Sequence, residues 1–168
     1  MLTIRQFRPD DAEAVRDLFS HAQDDFAGSY LHNEADREGF HEYIDGALNH
    51  DLAHVEQSYL QRPGSNFWVA DLDGQLVGSI GAYRRDDEEA EIRRLAVDRT
   101  ARRQGVASRL LDQAEDFCRH AGYARAIVWT ANHMTSAIAF LKHRGYHELE
   151  DHAFPHTSLT LYLYGLDL

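Results

Sequence analysis

The chain has 168 residues, of which 43% are hydrophobic and 27% are charged, and its formal net charge at pH 7 is −11. This length and composition predict one globular domain over residues 1–168, and the strong negative charge argues against nucleic acid, whose binding depends on phosphate contacts. Because no apolar run reaches bilayer length and the first residues show no signal-peptide pattern, we expect a cytoplasmic protein with no membrane partner.

The first part of the chain predicts a strand followed by helices. Leu2–Arg5 fits a short edge strand, and the polar stretch His21–Asn33 predicts a loop or a broken helix. Between them lies a helical pattern with four residues on its inner face, namely Ala14, Val15, Leu18 and Phe19. Helical spacing returns over Ala35–Leu60, where Gly46 and Asn49 are the points at which the helix would kink or divide.

After Pro63-Gly64 the pattern changes to short strands and two further helices. Asp73-Gly74 predicts a tight hairpin between the first two of these strands, and Gly122 and Gly145 are expected to close the helices. The predicted strands are Phe67–Ala70, Leu76–Tyr83, Ala90–Asp98, Ala126–Trp129, Tyr146–Leu149 and Leu159–Leu163, and the predicted helices are Val106–Ala121 and Ser136–His143. This order predicts a mixed sheet of the α/β class.

The entry to the helix at Val106 has the features of an anion-binding turn. It reads Arg102-Arg103-Gln104-Gly105-Val106-Ala107-Ser108. Gly105 and Ala107 are small enough for a ligand to approach the backbone, and the first turn of a helix offers unpaired N–H groups at the positive end of its dipole. Such a turn binds phosphate or pyrophosphate, and arginine adds charged donors. The alternative is an ordinary strand–helix connection with solvated arginines.

The charges are distributed unevenly along the chain. Eight of the 17 Lys and Arg residues fall between Arg84 and Arg109, around the predicted phosphate site. Residues 1–65 carry five arginines against thirteen carboxylates. We therefore expect one part of the molecule to suit a polyanionic cofactor and the other to attract, weakly, a cationic partner.

The same turn resembles a known family. Arg102-x-x-Gly105-x-Ala107 matches the Gln/Arg-x-x-Gly-x-Gly/Ala signature of the GNAT superfamily of acetyl-CoA-dependent N-acetyltransferases, and Glu91–Val97 resembles its central strand. The resemblance covers nearly the whole chain and implies a single-domain α/β fold with a mixed, mostly antiparallel central sheet flanked by helices. It also implies acetyl-CoA as co-substrate, without a metal, and transfer to a primary amine of a small molecule or amino acid.

The acceptor is less well defined by the resemblance. The stretch from Asp51 to Ala70 is similar to a subgroup that acetylates the α-amino group of aspartate or of cysteine S-conjugates. A protein N-terminus or a lysine as acceptor, and a non-catalytic acyl-CoA-binding module, are the alternatives. The sequence allows a homodimer and does not determine the oligomeric state.

The resemblance assigns cofactor-binding residues by position. Backbone groups of Leu95, Ala96 and Val97 would pair with pantetheine and the thioester. The pyrophosphate would lie on the N–H groups of Arg102, Arg103, Gln104, Gly105, Val106, Ala107 and Ser108. Asn132 is expected to reach pantetheine.

The catalytic residues are a separate expectation. Glu91 matches the place where some members carry a catalytic carboxylate, so it is predicted to deprotonate the amine; otherwise it is a surface charge or a partner of Arg93. The tyrosine that protonates the thiolate in many members is replaced by Leu141. His133, water, or unassisted departure of the thiolate are the alternatives for this step.

Histidine is frequent, with eleven residues, and it raises the question of a metal site. His50 and His54 are spaced for one helical face, but no third ligand is indicated and zinc needs three or four. No metal site is therefore predicted.

Overall fold

The computed structural model describes residues 1–30 and 32–168, with the backbone alone given for residues 24–30. The strands are β1 (Leu2–Gln6), β2 (Asn66–Leu72), β3 (Gln75–Arg84), β4 (Glu89–Val97), β5 (Arg125–Ala131), β6 (His147–Ala153) and β7 (Thr160–Asp167). The helices are α1 (Ala12–Tyr30), α2 (Glu34–Asn49), α3 (Val106–Ala121) and α4 (Thr135–His143).

The seven described strands form one sheet in the order β1-β2-β3-β4-β5-β7-β6. Five of the strand pairs are antiparallel, and β4 with β5 is the parallel one. The predicted single-domain α/β fold, with a mixed and mostly antiparallel sheet, is thereby confirmed.

Helices cover both faces of the sheet, which explains why β3 is buried on both sides from Val77 to Ala82. On one face, α3 packs through Leu110 and Leu111 against the strands. Cys118 is buried in the same layer, and this burial raises the pKa of its thiol to about 12. On the other face the core contains Val15, Phe19, Tyr59, Phe67 and Val69. The site described below lies where β4 passes between these two layers.

The turns follow the sequence closely. Asp73 and Gly74 have φ values of 53° and 90°, the left-handed pair that a tight hairpin requires, so β2 and β3 form the predicted hairpin. Gly122 ends α3 in the left-handed conformation with φ 89°. The predicted division near Asn49 is confirmed, because α2 ends there and a 3-10 turn (Asp51–Ala53) and a π turn (Glu56–Leu60) follow.

In the first helical region one expectation holds in part and another is wrong. For His21–Asn33 the sequence predicts a loop or a broken helix: the loop is wrong, because α1 continues to Tyr30 as buried Ala22 and Gln23 extend its inner face, but the broken helix agrees with a second helix that begins at Glu34; Leu31 lies outside the described residues. Ala14 is exposed rather than turned inward.

Within the described chain, none of the helices combines the length and the apolar character needed to cross a bilayer.

The strand β6 extends further along the chain than the predicted strand Tyr146–Leu149, and it differs from the other strands in its exposure. All seven of its residues are exposed, and it lies at the edge of the sheet, beyond β7. Its glutamates, aspartate and histidines hide the usual apolar alternation, which is why the sequence predicts only its first part. Charged side chains on an exposed edge oppose pairing with another chain.

Candidate functional site

The strand β4 parts from its neighbour β5 halfway along its length. The Cα pairs that join the two strands are Glu89–Arg125, Ala90–Ala126 and Glu91–Ile127. Beyond Glu91 both strands continue, but the register gives no further pair between them in the described chain. The β5 side of β4 therefore offers backbone groups without a strand partner, and an extended ligand can bind such groups.

A bulge interrupts β4 on its other side. The register with β3 shifts between the pairs Ser79–Ala96 and Gly81–Arg93, so Arg94 and Leu95 together face Ile80. Arg94 has a φ of 56°, a left-handed conformation that costs an L-residue about 1–2 kcal/mol.

Two contacts bear on the strand residues expected to bind pantetheine, Leu95, Ala96 and Val97. The buried hydroxyl of Ser79 donates to the Arg94 carbonyl at 3.0 Å and so satisfies the bulge. The Val97 carbonyl accepts from Nε of Arg102 at 3.2 Å. Leu95, like Arg94, has no Cα partner in either neighbouring strand of the described chain.

The helix α3 begins next to the carboxyl end of β4. Gly105 precedes it with a φ of 78°, Arg103 has a φ of 62°, and no described side chain caps the helix. Arg103, Gln104 and Gly105 are exposed, and a Cβ on Gly105 would meet no heavy atom within 4 Å. The helix entry thus has free space beside Gly105 at the positive end of the helix dipole, as a phosphate-binding turn requires.

The structure divides the cluster of eight basic residues that the sequence places around this turn. Arg84 is the last residue of β3 and Arg85 begins the turn to β4, so both lie at the opposite end of β4. Arg93 and Arg94 line a cavity on the α2 side of the sheet. Those that flank the helix entry are Arg99, Arg102, Arg103 and Arg109.

The cavity on the α2 side has a volume of about 980 Å³. Its walls come from α2, from the short turns between Asp51 and Leu60, and from the sheet residues Tyr83, Arg93 and Arg94. This is large enough for a small-molecule ligand, and β4 separates it from α3. A ligand in the cavity and a ligand on α3 would therefore meet at β4.

Two arginines stack on one tyrosine in this cavity. The Cζ atoms of Arg62 and Arg93 lie 4.3 and 4.0 Å from the centre of the Tyr83 ring. Arg93 is paired with Glu91, whereas no described carboxylate lies within ion-pair distance of Arg62, which donates to the Arg84 carbonyl at 3.2 Å. The cavity therefore holds one guanidinium, that of Arg62, without a described carboxylate partner, and its lining also includes the carboxylate of Glu42.

A third arginine is fully engaged. Nε and one terminal nitrogen of Arg94 each lie 2.9 Å from a carboxylate oxygen of Asp51, and the Tyr59 hydroxyl donates to that carboxylate at 2.5 Å. Burial alone would raise the pKa of Asp51, but the hydrogen bonds and charge of Arg94 outweigh it and hold the pKa below its ordinary value. The pair is thus ionised at neutral pH, with side chains only 11% and 15% exposed.

Glu91, the predicted base, lies at the point where β4 and β5 part. Its side chain is 17% exposed, and Oε2 accepts from Arg93 at 2.9 Å. It stands opposite Tyr83 in the ladder, on the cavity side of the sheet. Glu91 is therefore a partner of Arg93, which is the alternative to a catalytic role. It also lies near the β4–β5 gap and on the cavity side of the sheet, where a base would be needed. Its catalytic role stays a prediction.

His133, a candidate for the acid, lies half-buried in the turn between β5 and α4. Burial lowers the pKa of its imidazole to about 4, against the opposing charge of Asp36. At pH 7 the ring is therefore neutral, and a neutral imidazole is a poor proton donor to a thiolate. The structure favours water or unassisted departure for this step.

We expect His133→Ala to change kcat by less than about threefold at pH 7, because the neutral ring has no readily lost proton to give. Since its pKa is about 4, His133 should also add no inflection to the kcat profile between pH 6 and 9. His143→Ala, on an exposed position of α4, is the matched control. A loss of kcat of tenfold or more, confined to His133→Ala, would identify this histidine as the acid.

The other residues predicted near the thioester have structural partners. The side-chain amide of Asn132 donates to the Ser158 carbonyl and accepts from the Thr160 N–H, each at 2.9 Å, which ties β5 to the loop before β7. Leu141 is 4% exposed and packs in the core, so a tyrosine at this position would have to displace its neighbours. Pantetheine binding by Asn132 stays a prediction.

Sequence reasoning missed the cavity and the pair of Asp51 with Arg94. From the sequence, an aspartate just after a helix is usually interpreted as a solvent-exposed residue. No sequence pattern near Asp51 indicates a contact with Arg94, which lies in a strand 43 residues away. His50 and His54 do line the cavity, but α2 ends at Asn49, so they do not share a helical face as their spacing predicts. The available signal was the similarity of the stretch that starts at Asp51 to amino-acid acetyltransferases.

Sequence comparison finds a family model and several characterised proteins that are similar to this chain. Residues 15–146 match the model of the acetyltransferase (GNAT) family. Human N-acetyltransferase 8 is 36% identical over 110 residues, which are 62% of this chain and 48% of that protein. N-acetylaspartate synthetase of Danio rerio is 35% identical over 117 residues, which are 67% of this chain and 42% of that protein. The chain spans about half the length of the curated relatives it matches.

Solved structures with the same fold cover the whole chain. An acetyltransferase of the GNAT family from Staphylococcus aureus Mu50 has a TM-score of 0.78 at 22% identity and covers 99% of both chains. A GNAT family acetyltransferase from Elizabethkingia anophelis with acetyl-CoA bound has a TM-score of 0.66 at 17% identity, over 99% of this chain and 98% of that one. At these identities the likeness shows the fold.

Proposed function

Since its residues 15–146 match the family model, the chain belongs to the GNAT family of acetyltransferases, and we propose that it acetylates the amino group of a small amino acid whose carboxylate faces Arg62. The observation that carries the proposal is the placement of β4, with an anion-binding helix entry at its end and an arginine-lined cavity on its α2 side. Family membership supports acetyl-CoA as the donor.

Acetyl-CoA would bind in the gap between β4 and β5. The pyrophosphate would sit on the N–H groups of Arg102–Ser108, and the pantetheine chain would pair with the β4 backbone from Leu95 to Val97. That a GNAT structure of the same fold has acetyl-CoA bound supports acetyl-CoA as the ligand. The thioester would then lie near the bulge, beside the cavity.

The acceptor would occupy the cavity. Arg62 offers a guanidinium with no described carboxylate partner, held in place by Tyr83 and by the Arg84 carbonyl. A carboxylate is the natural partner of such a group, since charge-assisted bonds of this kind are the strong ones. The name of one relative, N-acetylaspartate synthetase, supports an amino acid as the acceptor.

The reaction would proceed by direct transfer. Glu91, or water held by it, takes a proton from the ammonium group, and the free amine attacks the thioester carbon to form the C–N bond. Backbone N–H groups at the bulge would stabilise the oxyanion. The attacking nitrogen then gives its second proton to water, the C–S bond breaks, and the thiolate leaves or takes a proton from water.

We expect free amino acids to be better acceptors than their amides, which keep the amine and lose the negative charge. For the best acceptor in a panel, kcat/KM should exceed that of its amide by about tenfold or more, because one charge-assisted bond is lost. Arg62→Gln should reduce this ratio to below about threefold. Arg119→Gln, on an exposed position of α3, is the control and should leave the ratio unchanged.

The same panel distinguishes the alternatives. Peptides that outperform every amino acid would show a protein N-terminus or lysine as the acceptor. If the protein binds acetyl-CoA but none of the amines tested causes thiol release, the protein is an acyl-CoA-binding module instead. An amide turned over as well as its free acid, with wild-type protein, would remove the carboxylate from the proposal.

A further inference from the structure

We propose that Arg94 is a positioning residue, which sets the β4 bulge through its ion pair with Asp51 and so aligns the thioester-binding backbone with the acceptor cavity. This inference rests on the proposed function, because it assigns a role within the same site. Neither the family signature nor the set of expected catalytic residues includes Asp51 or Arg94.

The bulge needs an external support. Four described residues other than glycine have a positive φ, namely Asp73, Arg94, Arg103 and His156. Three of them lie in turns or loops, and Arg94 alone in this set lies inside a strand. A left-handed residue in a strand interior persists only when its surroundings hold it, and strain of this kind collects at functional sites.

The support comes from the cavity wall. Asp51 belongs to the 3-10 turn after α2, and both of its carboxylate oxygens receive a 2.9 Å hydrogen bond from Arg94. The Tyr59 hydroxyl fixes the carboxylate from a second side, and the Tyr59 ring packs edge-on against Phe67 and Tyr83. The carboxylate therefore has an anchor, the Tyr59 hydroxyl, that is independent of Arg94.

Arg94 has little capacity left for a substrate. Nε and one terminal nitrogen bind Asp51, and the other terminal nitrogen lies 3.4 Å from the Tyr43 hydroxyl. Arg62, in the same cavity, has no such carboxylate among the described side chains. The geometry therefore assigns acceptor binding to Arg62 and a structural link to Arg94.

The link connects the two ligand spaces. Arg94 immediately precedes Leu95, whose backbone has no Cα partner in either neighbouring strand. The Asp51 end of the pair lies in the wall of the acceptor cavity. A change at either end would thus shift the amine and the thioester relative to each other, and misplacement by about 1 Å costs roughly 10²-fold in rate.

A double-mutant cycle tests this role. Arg94→Gln and Asp51→Asn are each expected to lower kcat by about 10²-fold with the acceptor KM changed less than about threefold. The double variant should lose no more than either single one, since the two side chains act as a unit. Arg94→Lys, which keeps the charge and loses the two-pronged contact, should fall between Arg94→Gln and the wild type.

A second ion pair provides the matched control. Arg5 and Asp11 form a two-pronged pair of similar burial, with distances of 2.7 and 2.9 Å, at the β1 edge of the sheet. Arg5→Gln should lower thermal stability about as much as Arg94→Gln and leave kcat unchanged. A similar loss of kcat in both variants would overturn the positioning role in favour of a general stabilising one.

One readout is independent of turnover. The backbone amide signal of Leu95 in the NMR spectrum should shift in Asp51→Asn, a substitution remote from Leu95 in the sequence, and stay in place in Arg5→Gln. An unshifted Leu95 signal in Asp51→Asn, or losses of kcat that multiply in the double variant, would overturn the proposal. If the wild type acetylates no amine, the proposed function fails while the Leu95 signal still decides whether the pair sets the bulge.

Discussion

Gly105→Asp should weaken acetyl-CoA binding by about 10²-fold or more, which corresponds to nearly 3 kcal/mol. The new carboxylate would stand in front of the first N–H groups of α3 and repel the pyrophosphate. The structure indicates that the domain will still fold, because a Cβ at this position meets no atom within 4 Å, and aspartate is among the residues that adopt a positive φ. Calorimetric titration with acetyl-CoA measures the effect.

Gly105→Asn is the matched control for this variant. Asparagine has nearly the shape of aspartate and tolerates the φ of 78° equally well, but it brings no charge. We expect it to weaken binding by less than about tenfold. A folded Gly105→Asp protein with unchanged acetyl-CoA affinity would show that the pyrophosphate lies elsewhere.

Glu91→Gln is expected to lower kcat/KM by about 10²-fold at neutral pH, because the variant keeps the shape of the side chain and removes the base. Part of the loss should return as the pH approaches the pKa of the amine, where more of the acceptor is already deprotonated. Acetyl-CoA affinity should hardly change. Initial rates of thiol release across pH 6–9 measure the profile.

A neighbouring carboxylate separates this role from a loss of charge alone. Glu89 lies two residues earlier in β4 and is paired with Arg85 and Arg125, away from the cavity. Glu89→Gln should therefore keep the wild-type profile. If Glu91→Gln also kept it, Glu91 would be only the partner of Arg93, and water would be the base.

The parts of the fold that the sequence predicts are those encoded locally. The helix α3 carries its apolar residues at helical spacing and ends at Gly122, and the Asp73-Gly74 hairpin needs only its own two dihedral pairs. The anion-binding turn is local as well, since a glycine before a helix creates it without help from the rest of the chain. For these features the neighbouring residues decide the structure.

The features that the sequence does not predict depend on distant residues. The bulge at Arg94 follows from a shift of register against β3, and the ion pair with Asp51 forms only after α2 is docked on the sheet. The cavity is likewise made from segments that are far apart in the chain. The cofactor half of the proposed site therefore rests on local features that the sequence predicts, while the proposed acceptor half requires the fold.

The short junction between β4 and β5 has a consequence for the order of folding. Strands β1 to β4 and strands β5 to β7 form two groups, each held by antiparallel pairing, and three residue pairs connect them within the described chain. Those pairs form only after the chain that contains α3 has closed on itself, and such closure costs entropy before any contact repays it. We therefore expect the two groups to acquire structure first and the parallel junction, with the cofactor gap beside it, to form last.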